Sequence, residues 1–279
     1  MAYRRVFLAF FLMAGGACSS SPSIHQSHSS EIRIHELDEK RLDAYLCRLA
    51  REEPDYRKRV ALVARTTIGQ PYRLGPLGEY PFELYDPDPL YCLTAGDCVT
   101  FVEQTIAMAL AHDWPSFFQT LQRLRYKDGR IGMLSRNHFT ETDWNLNNAW
   151  LLEDVTKKLP GAAAYRVRVD RAAFFKQFGL AYSADPIDFE DAHVPRRYFP
   201  EVLPLLQDAD VVEFVRADKG QLYVGHLGFV FHNASAAPTL LHATKPAVRE
   251  EPLAEYLARH DNVAGIKVLR LRSEKSVTP

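Results

Sequence analysis

The chain reads as an α+β fold in which helices come first and an antiparallel sheet follows. Three observations predict this. Apolar residues recur at three- and four-residue spacing between residues 38 and 125, and they alternate at two-residue spacing beyond residue 210. Between the helices, Gly69 to Gly96 is broken by Pro71, Pro76, Pro81, Pro87 and Pro89, so no long regular element fits there. With 279 residues, 47% hydrophobic and 25% charged, the chain can bury one large core. A net charge of -1 gives no electrostatic footprint for nucleic acid.

At the start, Arg4 and Arg5 precede the apolar run Val6 to Ala14 and then Gly15, Gly16 and Ala17. That order predicts a secretory signal peptide over residues 1–17 and an exported, periplasmic protein. Cys18 followed by Ser19, Ser20 and Ser21 resembles a bacterial lipoprotein cleavage site, although Gly15 stands where that pattern usually has Leu. Lipidation of Cys18 would anchor the chain to a membrane through a tether over residues 18–35. Ordinary cleavage nearby would leave a soluble periplasmic protein. His25, His28 and His35 read as solvated linker residues.

A single domain is expected over residues 36–273. Asp38 can cap a helix with Leu42, Tyr45, Leu46 and Leu49 on one face. A second helix is expected from Asp55 to Ile68, with Val60, Val63 and Ala64 inward and Gly69 stopping it. The loop that follows is long enough to suggest function. Val99, Val102, Ile106 and Ala109 then mark a helix, and Phe101, Thr105 and Met108 make it apolar nearly all round, so it should be buried. Residues 114–125 give an amphipathic helix, and residues 170–178 a short one. Strands are expected at 210–215, 222–231, 239–244 and 265–271, with a short helix at 252–259.

Cys98 is singled out by position. Gly96-Asp97-Cys98 ends the long loop and opens the buried helix, so Cys98 meets the free N–H groups and positive dipole end of the first turn. Such sites can lower a thiol from ~8.5 to roughly 3.5–7.5 and can hold a developing oxyanion. Asp97 most simply caps the helix. On position alone, an inert buried cysteine remains the commoner outcome. Cys47 and Cys92 either pair or are simply buried.

A base for Cys98 is available in Gly225-His226-Leu227-Gly228, where flanking glycines permit close approach of another group. Alternation places His226 on one face with Val224, Gly228 and Val230. If Phe231 pairs with Thr239, His242 falls diagonally beside His226, about 7–8 Å away between backbones. A one-residue slip would separate them.

The strings Gly69-Gln70-Pro71-Tyr72-Arg73-Leu74-Gly75, Gly96-Asp97-Cys98, Asp210-Val211-Val212, Gly225-His226-Leu227-Gly228 and His242 resemble the NlpC-type papain-like cysteine cell-wall hydrolases. The longer match is similar to one branch, the exported N-acetylmuramoyl-L-alanine amidase-like family. It runs through Asp97-Cys98-Val99-Thr100-Phe101-Val102-Glu103, Ser135-Arg136-Asn137-His138-Phe139, Asp143-Trp144 and His242-Ala243-Thr244. The resemblance covers roughly residues 40–272. It implies a papain-like fold, a Cys98–His226–His242 triad and Tyr72 over the nucleophile, with no cofactor. It also implies cleavage of the amide between N-acetylmuramic acid, including 1,6-anhydro forms, and L-alanine in peptidoglycan fragments. Two departures stand out: the loop before Cys98 is long, and Asn137 occupies a position expected to vary.

Arg136, Asn137, His138, Asp143, Trp144 and Asn147 form a polar and aromatic cluster suited to a muropeptide, and the resemblance adds Asp97 and Tyr72 to the expected binding residues. The same cluster also suits a surface loop anchored by its Trp. Other readings are a stem-peptide endopeptidase, a zinc amidase using His138, His226 and His242, or an inactive lipoprotein that binds wall fragments.

Overall fold

The structure, a computed structural model, describes residues 32–234 and 237–273. The expected signal peptide and Cys18 therefore lie outside the described residues. Ile34, inside the stretch expected to be tether, opens a short 3-10 turn and is buried in the core.

Four helices come first: α1 (Glu39–Glu52), α2 (Tyr56–Thr66), α3 (Cys98–Leu110) and α4 (Trp114–Arg125). Each begins at an aspartate, namely Asp38, Asp55, Asp97 and Asp113, whose carboxylate accepts a first-turn N–H that has no partner within the helix. Thr100 and Ser116 complete reciprocal capping boxes with Asp97 and Asp113. Helix α2 stops short of Gly69, which takes a φ of +86°. The segment from 69 to 96 makes only isolated bridges, as its prolines require.

Helix α3 is the buried centre. Phe101, Val102, Ile106, Ala107, Met108 and Ala109 are all out of solvent. Phe101 meets Phe229 edge to face, with ring centroids 5.6 Å apart. Removing such a ring costs roughly 3–5 kcal/mol.

The middle of the chain is more regular than its composition suggests. A π-helical turn (Thr140–Trp144) runs into α5 (Asn145–Asn147). It is followed by β1 (Leu152–Asp154), β2 (Ala163–Val169), α6 (Arg171–Lys176), β3 (Ile187–Pro195) and α7 (Phe199–Val202). The remaining elements are β4 (Asp210–Asp218), β5 (Gln221–His232), β6 (Pro238–His242), β7 (Arg249–Pro252), α8 (Leu253–Arg259) and β8 (Val263–Leu271). The strands form one antiparallel sheet in the order β2-β3-β8-β4-β5-β6-β7, with β1 also on β8.

Both faces of this sheet are covered. Val211, Leu227, Phe229, Phe231 and Leu241 pack into the core shared with α1–α4. Val212, Phe214, Val230 and Leu240 pack with Phe199 and Val202 of α7 and with Leu253, Tyr256 and Leu257 of α8. The fold is α+β, as the order of periodicities predicts. Among the described residues, no helix is long and apolar enough to cross a membrane.

Candidate active site

Cys98 is the first residue of α3 and is half-buried. The chain leading to it is pinned: Gly96 N–H donates to Pro71 O (3.1 Å), Arg73 N–H donates to Gly96 O (3.1 Å), and Tyr72 bridges Gly96. Tyr72 is thereby fixed beside the start of α3. Burial raises the Tyr72 phenol, and the charges of Cys98 and Asp97 add to the rise.

The sulfur does not behave as its helix position alone suggests. Burial, followed by the Asp97 carboxylate, pushes the Cys98 thiol up to about 12. The backbone N–H groups of Leu227, Val99 and Cys98 itself pull the other way, but desolvation of the charged form outweighs them. The expected lowering of this thiol is therefore reversed. First-turn N–H groups do face the sulfur, and so does Leu227, the neighbour of His226.

His226 and His242 meet. Phe231 pairs with Thr239, and Phe229 with Leu241, so the next residue of β6 faces Gly228 across the ladder. His226 Nε2 lies 2.7 Å from His242 Nδ1. Gly228 makes this possible: a Cβ there would stand 2.8 Å from His242 Cβ and 2.8 Å from Leu241 O. His226 is 9% exposed and His242 is fully buried. Burial holds both imidazoles below their usual 6.5, His242 at about 4 and His226 well below 6.5.

One detail of the strand differs from simple alternation. His226 pairs with Phe214, but Val224 pairs with Val215, so the ladder shifts at Gly225. This bulge turns Val224 toward Val215, Tyr165 and Val167, away from the His226 face. His226 instead stacks near Phe214, with centroids 5.9 Å apart.

Beside the start of α3 lies a cleft of about 390 Å³, lined by Asp97, Val99, Thr100, Glu103, Arg136, Asn137 and His138 together with Phe174 and Phe178. Several of the expected binding residues have both their polar ends occupied. Asp97 accepts from Thr100 N (2.9 Å) and Gly75 N (2.9 Å), so it is both cap and loop anchor. Arg136 holds Asp86 (2.8 Å) and Leu77 O (3.0 Å) of the long loop. Asn137 donates to Leu124 O (2.9 Å) and accepts from Asn147 (2.6 Å).

Asp143 and Trp144 do not line the cleft. Asp143 is paired with Arg171. Trp144 is 1% exposed and donates from its indole to Glu103 (2.9 Å), which makes it a core anchor. His138 bonds Met133 O (2.7 Å) and packs on Phe174 and Phe175. Among the described residues, no three His, Cys, Asp or Glu side chains converge as a metal ion would need. Cys92 and Cys98 carry free thiols, so a Cys47–Cys92 bridge is not formed.

A family model described as N-acetylmuramoyl-L-alanine amidase-like matches residues 62–266, a span that contains Tyr72, Cys98, His226 and His242. The chain belongs to this family.

Solved structures agree on the fold of the amidase-like chain. A Legionella pneumophila protein of the DUF1460 family is 24% identical over 84% of this chain and 96% of its own, with a TM-score of 0.72. An N-acetylmuramoyl-L-alanine amidase from Bacteroides uniformis is 26% identical over 78% of this chain and 99% of its own, with a TM-score of 0.64. A Bacteroides fragilis chain described as a candidate xylanase is 26% identical over 75% of this chain and 99% of its own, at a TM-score of 0.59. No curated protein matches the sequence.

Three residues around Cys98, His226 and His242 escape sequence reasoning. Glu251 of β7 accepts from His242 Nε2 at 2.9 Å. Tyr256 of α8 stacks against His226 and meets His242 edge-on, with centroids 5.8 Å and 5.2 Å away. Glu141 accepts from Val224 N (2.7 Å) just before the bulge. Only the strand pairings reveal the first: Leu240 opposite Glu251 puts that carboxylate diagonal to His242.

Proposed function

We propose that this protein is a cysteine amidase that cleaves the bond between the lactyl group of N-acetylmuramic acid and L-alanine in peptidoglycan fragments. Cys98 is the nucleophile, His226 the base and His242 its orienting partner, in a papain-like NlpC-type arrangement. The observation that carries this reading is the 2.7 Å bond between His226 and His242, beside the strand residue whose N–H faces Cys98.

The resting pair is a neutral thiol and a neutral imidazole. His226 takes the Cys98 proton as the sulfur attacks the lactyl carbonyl carbon, which avoids holding a bare thiolate in a dry site. The N–H groups at Cys98 and Val99 hold the oxyanion. His226 then returns its proton to the leaving alanine nitrogen. Water, deprotonated by His226, hydrolyses the thioester.

The Bacteroides uniformis relative, an N-acetylmuramoyl-L-alanine amidase by name, supports the choice of bond. Glycoside cleavage has less support, since it needs two carboxylates free to face a sugar. Asp86, Asp97 and Glu103 of the cleft are held by Arg136, by the α3 cap and by Trp144. The signal sequence and Cys18 fit an exported, membrane-anchored enzyme, and lipid labelling that disappears in Cys18→Ala would support the anchor.

The test is mass spectrometry of products from defined muropeptides, with reducing and 1,6-anhydro muramic acid. Release of the intact stem peptide by the wild type, lost at least a thousandfold in Cys98→Ala and His226→Ala, is expected. Cuts within the stem peptide would point to an endopeptidase, and full turnover by Cys98→Ala would end the cysteine mechanism.

A further inference from the structure

The site holds a carboxylate that the Cys98–His226–His242 reading does not use. His242 Nε2 lies 2.9 Å from Glu251 Oε1, and His242 Nδ1 lies 2.7 Å from His226 Nε2. The two contacts form one line, Glu251–His242–His226. Glu251 is itself clamped, by Arg249 at 3.2 Å and by Arg259. These ion pairs and the bond to His242 hold its carboxyl below the usual carboxylate range, against burial.

An ionised carboxylate only accepts. His242 must therefore carry its proton on Nε2. Burial keeps His242 neutral at pH 7, near 4, so its Nδ1 then has a bare lone pair and must accept. His226 can satisfy that lone pair only by carrying its own proton on Nε2. This leaves the lone pair of His226 on Nδ1, the ring nitrogen not engaged by His242. Each proton position follows from the one before.

We propose that Glu251 is a positioning residue that fixes the tautomers of both histidines and so makes His226 Nδ1 the base. The assignment rests on the cysteine-amidase reading for its consequence, but not for its geometry. Groups facing the pair from other elements do not supply the acceptor. Arg249 and Arg259 are cations, and Tyr256 presents ring faces and edges. His260 stacks on Tyr256 and bonds its carbonyl oxygen, and Arg216 of β4, paired with Tyr223 of β5, is a third cation acting on His226. Without Glu251, His242 can move its proton to Nδ1, donate to His226 Nε2 and force the His226 proton onto Nδ1. A base with the wrong tautomer can cost about 10⁴ in turnover in the serine proteases. Partial loss of control here should cost roughly ten- to a hundredfold.

The experiment is a long-range ¹H–¹⁵N correlation spectrum of the ¹⁵N-histidine-labelled protein at pH 7, with His226 and His242 assigned from single-histidine variants. Both rings should show a protonated Nε2 and a bare Nδ1. A wild-type His242 protonated on Nδ1 would overturn the assignment with no mutation involved. In Glu251→Leu, the spectrum should gain the Nδ1-protonated form, and kcat should fall ten- to a hundredfold with KM within twofold. An unchanged spectrum in that folded variant would overturn the proposal. If Glu251→Leu does not fold, the wild-type spectrum decides alone. A wild type with the expected tautomers that leaves muramoyl–alanine bonds intact would end the functional reading and leave the relay standing.

Discussion

Two opposing forces act on the sulfur of Cys98. Backbone N–H groups of the first turn and of Leu227 favour the thiolate, whereas burial and the Asp97 carboxylate disfavour it. Because the second pair wins, the thiol, pushed up to about 12, rests protonated at pH 7, and the proposed mechanism calls on His226 to take its proton at the moment of attack. Reactivity toward a simple alkylating agent should follow. Carbamidomethylation by iodoacetamide, read on the Cys98 peptide by mass spectrometry, is expected to rise about tenfold per pH unit from pH 7 to 10. A rate that levels off below pH 8 would show a resting thiolate and would require a different first step. Reading the single peptide matters, because Cys92 is also a free thiol.

At the scale of elements, the β5–β6 pair decides whether two histidines touch. Gly228 lies beside His242, and the atoms a Cβ would meet are His242 Cβ and the Leu241 carbonyl, each at 2.8 Å. Neither is the tip of a flexible side chain, so strand or ring must give way. Gly228→Ala should therefore cut kcat by at least tenfold while the far-ultraviolet circular dichroism stays that of the wild type. Unchanged turnover in this variant would mean that the His226–His242 bond is dispensable. The sequence makes much of this arrangement legible, because the aspartate caps and the buried stripe of α3 rest on local patterns, whereas the Phe231–Thr239 register stays conditional until the strand pairing decides it. Other parts rest on tertiary partners. The alternation Tyr165-Arg166-Val167-Arg168-Val169 does mark β2, but a reading that assigns helices early and strands late passes over it. The Gly225 bulge depends on how β4 pairs, with Arg216 Cδ 2.6 Å from where a Cβ would stand. Glu251 sits in a four-residue polar strand with no periodic signal of its own.

Across the whole molecule, buried ionisable groups pull stability in two directions as pH changes. Burial raises Glu103 to about 7 and Glu213 to about 8, and it raises Glu79 and Glu141 above their usual 4.5. Between pH 8 and 7 the folded chain therefore holds more protons on these carboxyls than the unfolded chain gains on its imidazoles, and stability rises as pH falls. His138, His193, His226 and His242 are all held below 6.5 by burial, His138 and His242 at about 4. Below 6.5 the unfolded chain gains those imidazole protons first, which opposes the carboxyl effect. Below about 4.5 the unfolded carboxyls protonate too, so the histidine difference is left uncompensated and stability falls with pH. Asp154 and Glu251, lowered by their cationic and hydrogen-bonding partners, add to the acid loss as they protonate. Calorimetry should therefore find the thermal midpoint at pH 6 above the midpoints at both pH 8 and pH 4. A midpoint that climbs steadily from pH 6 to pH 8 would show that the buried carboxyls are ionised in the folded state, with Lys267 and Arg125 holding Glu213 and Glu103 as anions.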